Sequence, residues 1–312
     1  MNSYELIQWV NMDQIDWIVV SYNPMAIVWF EKLAQEVQEQ HISKLDWLGL
    51  SSNPSAIRLL EANPCKIHWY WLSANPAAIE LLTRNPDNIN WRMLSQNPAA
   101  MDLLELEENV DKIDWIALSK NPAAMDLLKR NPDKINWRML SQNPAAMDLL
   151  ELEENVDKID WIALSTNPAA MDLLKRNPDK INWIGLSFNS AAIDLLEENL
   201  DKINWTALSA NPAAIELLET HADQIVWSEI SRNPAAMDLL ETHADQIDWT
   251  ELSRNPAAIE LIKLNLDKID WSLLSRNPAA MDLLETHADQ IDWVGLSENP
   301  SIFVEVFDYQ LK

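Results

Sequence analysis

The chain is short of the residues that build most chemistry. Its 312 residues include one cysteine, Cys65, and only three glycines. A lone cysteine excludes an internal disulfide framework and any cysteine-based zinc cluster. So few glycines argue against a turn-rich β architecture. No apolar run approaches the roughly 18 residues that mark a membrane helix. The opening MNSYELIQWVNMDQ lacks a basic stretch followed by an apolar core, so no secretory leader is expected and an intracellular setting follows. Basic residues are scarce as well. Against 49 Asp and Glu stand 23 Lys and Arg, a formal net charge of −26. Such a field repels phosphate backbones and anionic lipid surfaces, which disfavours direct nucleic-acid binding and membrane association.

What the chain has is repetition. A Trp recurs at 17, 47, 69, 91, 115, 137, 161, 183, 205, 227, 249, 271 and 293, at intervals of 22 residues broken by two of 24 and a first one of 30. A fixed period of this size is the mark of a solenoid, in which each unit buries its apolar face by stacking on its neighbours. The unit NPDKINWRMLSQNPAAMDLL, beginning at Asn131, contains the pair Asn-Pro twice. Asn favours the cap of a helix, Pro favours its first position, and a residue before Pro is driven out of the α region. The spacing therefore predicts one helix from Pro132 to about Ser141 and a second from Pro144 to about Glu151. The expected fold is all-α, an α-solenoid of about thirteen two-helix repeats of 22–24 residues. It forms one domain over 1–312, with residues 1–12 as an N-terminal cap, 13–300 as repeats and 301–312 as a C-terminal cap. The eight extra residues between Trp17 and Trp47 predict a longer second helix through VWFEKLAQEVQEQ, and Phe303, Phe307 and Tyr309 give the last segment an aromatic closing surface. A leucine-rich repeat has a similar period, but the Asn-Pro starts and the run AAMDLL favour helix.

Residues 91–136 and 137–182 are identical except that Thr166 replaces Lys120. Packing alone does not demand such fidelity, so the copy number has changed recently, which suits a binding scaffold better than a fixed catalytic site. The units NPAAIELL, NPDKINW and WxxLSxNP resemble the short Asn-Pro/Trp repeats of uncharacterised proteins that giant double-stranded DNA viruses encode in many copies. The resemblance spans about residues 13–300 and implies an all-helical solenoid of viral origin, in the cytoplasm of an infected host cell or in the virion. It carries no catalytic residue with it. Ser43 and Cys65 depart from the pattern, standing where Asp usually precedes the Trp by four.

Recurrence of the Trp beside Ile and Leu reads as scaffold, with Trp69, Tyr70 and Trp71 as a separate aromatic cluster. His221, His243 and His287 each occur in THADQI, about a repeat apart and too distant to share one metal. A Ser follows each Trp by four without a matching base, and no phosphate loop, zinc motif or carboxylate pair appears, so no enzyme activity, metal or cofactor is expected. The informative positions are those where repeats disagree, one and five residues after each Trp. Being four apart they share a helical face and would align into a stripe. Arg92, Gln96, Ile116, Lys120, Arg138, Gln142, Ile162, Thr166, Ile184, Phe188, Arg232, Arg254 and Arg276 are its candidate contact residues, and an unidentified protein is the expected partner. The acids eleven after the Trp, among them Asp148 and Asp172, are expected in mid-helix, where the helix dipole does not account for them. Three functions remain open on this basis: a protein-binding scaffold, an acidic mimic of nucleic acid, and a structural virion or assembly component.

Overall fold

The computed structural model describes residues 3–33 and 35–306. The chain is predominantly helical, built of many short helices in tandem, and it forms two compact units, residues 1–93 with 259–312 and residues 94–258. Both unit boundaries fall inside a repeat, so the two units are made of the same motif.

The helix expected from Pro132 to Ser141 is interrupted. A 3-10 turn covers Pro132–Lys134, the backbone then extends at Ile135 (φ −64°, ψ 128°) and Asn136 (φ −86°, ψ 101°), and an α-helix runs over Trp137–Ser141. The reason is a second cap. Asn136 accepts the Met139 N–H at 3.0 Å, and an Asp or Asn stands directly before most of the Trp residues. The second half of the unit is a 3-10 turn, Pro144–Ala146, continuing into the helix Met147–Leu150.

The two Asn-Pro pairs therefore differ in role. Asn143 caps the helical run it precedes, its Oδ1 accepting the Ala145 N–H at 3.0 Å. Asn131 makes no such bond; its Nδ2 donates back to the Leu127 carbonyl at 2.9 Å and closes the preceding helix. The longer helix expected through residues 28–40 is likewise two pieces, Pro24–Phe30 and Gln35–His41.

Repeats stack through a column of residues with little or no exposure. In the repeat of Trp183 these are Leu186, Ala192 and Leu196, with Leu195 beside them. Two polar residues join each repeat to the next. Ser187 donates from Oγ to the Trp183 carbonyl at 2.7 Å and accepts the Asn204 N–H of the following repeat at 3.0 Å. Asn189 reaches back, Nδ2 donating to the carbonyls of Ser165 and Asn167, both at 3.2 Å. These bonds satisfy buried backbone groups that the short helices leave open.

The two ends of the chain meet within the first unit. Strands β1 (Ser3–Leu6) and β2 (Phe303–Val306) pair antiparallel, Ser3 opposite Val306 and Leu6 opposite Phe303. This small sheet departs from the expected all-α architecture. The segments expected as separate caps thus pair with each other; Phe307 and Tyr309 lie outside the described residues. Beside the sheet, the helix Trp17–Val20 lies against the helix Trp293–Glu298, and the Asp16 N–H donates to Ser297 Oγ at 2.8 Å. The last repeat meets the first through the bond that joins consecutive repeats elsewhere. One bond of the set is missing, because Asn23 Nδ2 is shielded and unpaired at this seam. Ile18, Tyr22, Met25, Ser297, Glu298 and Pro300 line a cleft of about 530 Å³ beside it.

The first repeat also departs from its neighbours inside. Trp17 is fully buried, stacked on Trp29 at 6.0 Å and on His41 at 4.6 Å. The Trp17 Nε1, Glu31 Oε1 and His41 Nδ1 atoms have no hydrogen-bond partner. Burial lowers the His41 pKa, as does nearby Lys44, with Asp13 opposing them; burial raises that of Glu31 against the pull of Arg58.

Candidate protein-interaction face

Every Trp helix offers two outward positions, the first residue after the Trp and the fifth. In the second unit the helices Trp115–Ser119, Trp137–Ser141, Trp161–Ser165, Trp183–Phe188, Trp205–Ser209, Trp227–Ser231 and Trp249–Leu252 each lie against the next. The candidate residues on them accordingly form one continuous stripe: Ile116, Lys120, Arg138, Gln142, Ile162, Thr166, Ile184, Phe188, Arg232 and Arg254, all exposed, as is Gln96 on the helix Trp91–Gln96 before them. Arg92 and Arg276 belong to the first unit, Arg92 exposed and Arg276 half-buried.

Fourteen large hydrophobic side chains are exposed among the described residues, and eight of them occupy these two positions: Ile18, Tyr22, Tyr70, Ile116, Ile162, Ile184, Phe188 and Val294. The concentration marks these two positions of the repeat, because scattered exposed apolar residues need no explanation whereas a recurrent placement does. Trp71 and Tyr70 add an exposed edge-to-face pair, with ring centroids 5.2 Å apart.

Adjacent repeats interlock along the stripe. The fifth residue after one Trp lies over the second residue after the next, and all three glycines sit at that second position. A Cβ built on Gly185 would approach Thr166 Cγ2 at 3.1 Å, and one on Gly49 would meet the Tyr22 ring at 2.7 Å. The Tyr22 hydroxyl donates across the junction to Asp46 at 2.8 Å. Where no glycine is needed, Glu229 and Glu251 take the place. Arg232 pairs with Glu229 and reaches Glu251 at 3.8 Å, and Arg254 approaches the same Glu251 at 3.9 Å. Arg276 holds Asp292 at 3.3 Å and Glu298 at 2.9 Å. Arg232 and Arg276 thus serve junctions between repeats, while Arg254 pairs within its own repeat. Phe188, Ala210, Pro212, Arg232 and Pro234 line a cleft of about 570 Å³ along the same face.

The Trp ladder sits at the flank of the core and, apart from Trp17, is half-buried. Its faces are covered by the following repeat in two ways. Lys158 Nζ lies 4.9 Å from the Trp137 ring centroid and Lys202 Nζ 4.6 Å from that of Trp183, each ammonium also donating to an Asn Oδ1, of Asn155 at 2.9 Å and Asn199 at 3.0 Å. In the THADQI repeats a His ring does both jobs. His221, His243 and His287 stand 5.2, 5.2 and 5.1 Å from Trp205, Trp227 and Trp271, and each Nδ1 lies 3.0 Å from the Leu carbonyl four residues back.

The acids eleven after the Trp prove to be in the first turn of their α segments, as with Asp148 in Met147–Leu150 and Asp172 in Met171–Arg176. They follow directly on the 3-10 turn that Asn143 or Asn167 caps, one turn into the helical run and so nearer its start than the expected mid-helix placement. Asp148 is also 3.6 Å from Lys129 of the preceding repeat.

No protein-family model, curated protein or solved structure matches the chain. Among the described residues no helix is long and apolar enough to cross a membrane.

Proposed function

We propose that this chain is a non-enzymatic scaffold, an α-solenoid of about thirteen short repeats, that binds a protein partner along the stripe one and five residues after each Trp. The reading rests on one observation: eight of the fourteen exposed large hydrophobic residues occupy those two positions. A solvated face under no demand gains nothing from a row of isoleucines, and exposed apolar rows are where proteins meet. The repeat type that the sequence resembles makes it a viral protein acting inside the infected cell.

Capture from host-cell extract on the intact protein, beside the Ile184→Ser/Phe188→Ser variant, tests the reading. The scaffold retains a partner through a high-salt wash and the variant releases it. A broad set of nucleic-acid-binding proteins, held by both forms at low salt and lost at high salt, would replace the scaffold with an acidic mimic.

A further inference from the structure

The stripe carries the opposite charge balance to the chain that bears it. Across the helices from Trp115 to Phe188 its eight positions hold four apolar residues (Ile116, Ile162, Ile184 and Phe188), the cations Lys120 and Arg138, the neutral Gln142 and Thr166, and no acid, in a protein with 49 acids and 23 bases. Two carboxylates that directly precede these helices are engaged locally. Asp114 and Asp160 cap their helices, accepting the Ala117 and Ala163 N–H groups, each at 2.9 Å. Arg138 is 73% exposed and only 3.9 Å from Asp160 at its closest, a loose contact of the kind that contributes little. The charges at the stripe positions themselves are therefore cationic.

From this we infer that the stripe receives an extended, acidic peptide segment with an apolar side chain at every third residue. The inference deepens the scaffold reading and rests on it. Spacing selects the peptide form. Neighbouring helices pack about 8 to 10 Å apart. A polyproline II chain advances about 9 Å in each three-residue turn, so every third side chain meets the next helix in step. A β-strand repeats its side chains on one face about every 6.6 Å and falls out of register. The apolar side chains over the first, third and fourth helices rest on Ile116, on Ile162 and on Ile184 with Phe188, the one over the second lies along the methylene stems of Arg138 and Gln142, and carboxylates between them reach the Lys120 ammonium and the Arg138 guanidinium in charge-assisted hydrogen bonds. The net charge of −26 does not prevent this, because at physiological ionic strength the field of distant acids is screened beyond about 8 Å while the contacting cations are not.

Four labelled synthetic peptides, measured by fluorescence anisotropy against the full chain, test the inference. Three carry Leu at every third position with Glu, Gln or Lys between, and the fourth carries Leu at heptad spacing with Glu on a helix-forming background. The expected order places the Glu peptide of period three first, about tenfold tighter than its Gln analogue, or about 1.4 kcal/mol. Arg138→Gln with Lys120→Gln removes that difference, Ile184→Ser with Phe188→Ser weakens both peptides, and each variant keeps the parent circular dichroism spectrum. A Lys peptide or a heptad peptide binding as well as the Glu peptide of period three overturns the inference, as does failure of all four to bind. The capture experiment stands apart: a partner lost on Ile184→Ser/Phe188→Ser keeps the scaffold reading whatever the peptides do.

Discussion

At the scale of single residues, this chain solves one problem twice. Each half-buried Trp leaves a face that the next repeat must cover, and each helix end leaves a carbonyl that needs a donor. Asn199 and Lys202 share the task in one repeat, the Asn donating to the Leu195 carbonyl at 2.9 Å and the Lys covering Trp183. His221 performs it alone in the next, above Trp205. Where His takes the Asn position of THADQI, Gln takes the Lys position. The two solutions should therefore be interchangeable only as pairs. Asn199→His with Lys202→Gln is expected to leave stability within about 0.5 kcal/mol of the parent, while Asn199→Ala alone costs about 1 kcal/mol by leaving a carbonyl without its donor; chemical denaturation separates the two. The sequence showed that His replaces Asn in these copies, and its spacing already argued against a shared metal. What spacing did not convey is that an imidazole can match both an amide donor and a stacked cation.

Among the elements, the short helices are joined chiefly by side chains. Ser187 is fully buried and links the end of one Trp helix to the start of the next. Ser187→Ala is expected to lower stability by about 1–3 kcal/mol, because the Asn204 N–H is left without an acceptor in a site closed to water; thermal or urea unfolding reads the loss directly. The period, the helical class and the start at Asn143 were legible, since Asn, Pro and the apolar spacing all point one way there. The break at Ile135 and Asn136 was not read, although its signal was present as an Asp or Asn before most Trp residues. Asn-Pro and Trp share one helix-compatible run, and that pattern hid a second cap inside it. The stripe was legible because position alone determines it: residues four apart on an outward face stay outward once neighbours stack. The ion pairs that tie Arg232 and Arg276 to the next repeat depended on which side chain overlies which there, and a period does not encode that.

For the molecule as a whole, the pairing of Ser3–Leu6 with Phe303–Val306 could not be read from four-residue segments almost 300 positions apart. Its counterpart, the bond from Asp16 to Ser297, makes the last repeat the neighbour of the first. Together the strand pair and this bond give the first and last repeats of the first unit a partner in each other. A circular permutant that links the present ends through a short Gly/Ser segment and opens between Leu264, which is 82% exposed, and Asn265 should keep the parent circular dichroism spectrum and a melting temperature within a few degrees. If it unfolds, the junction of first and last repeats cannot take over from the chain connection at Leu264; if it folds, a hydrogen-bonded junction and a peptide link are interchangeable between these repeats.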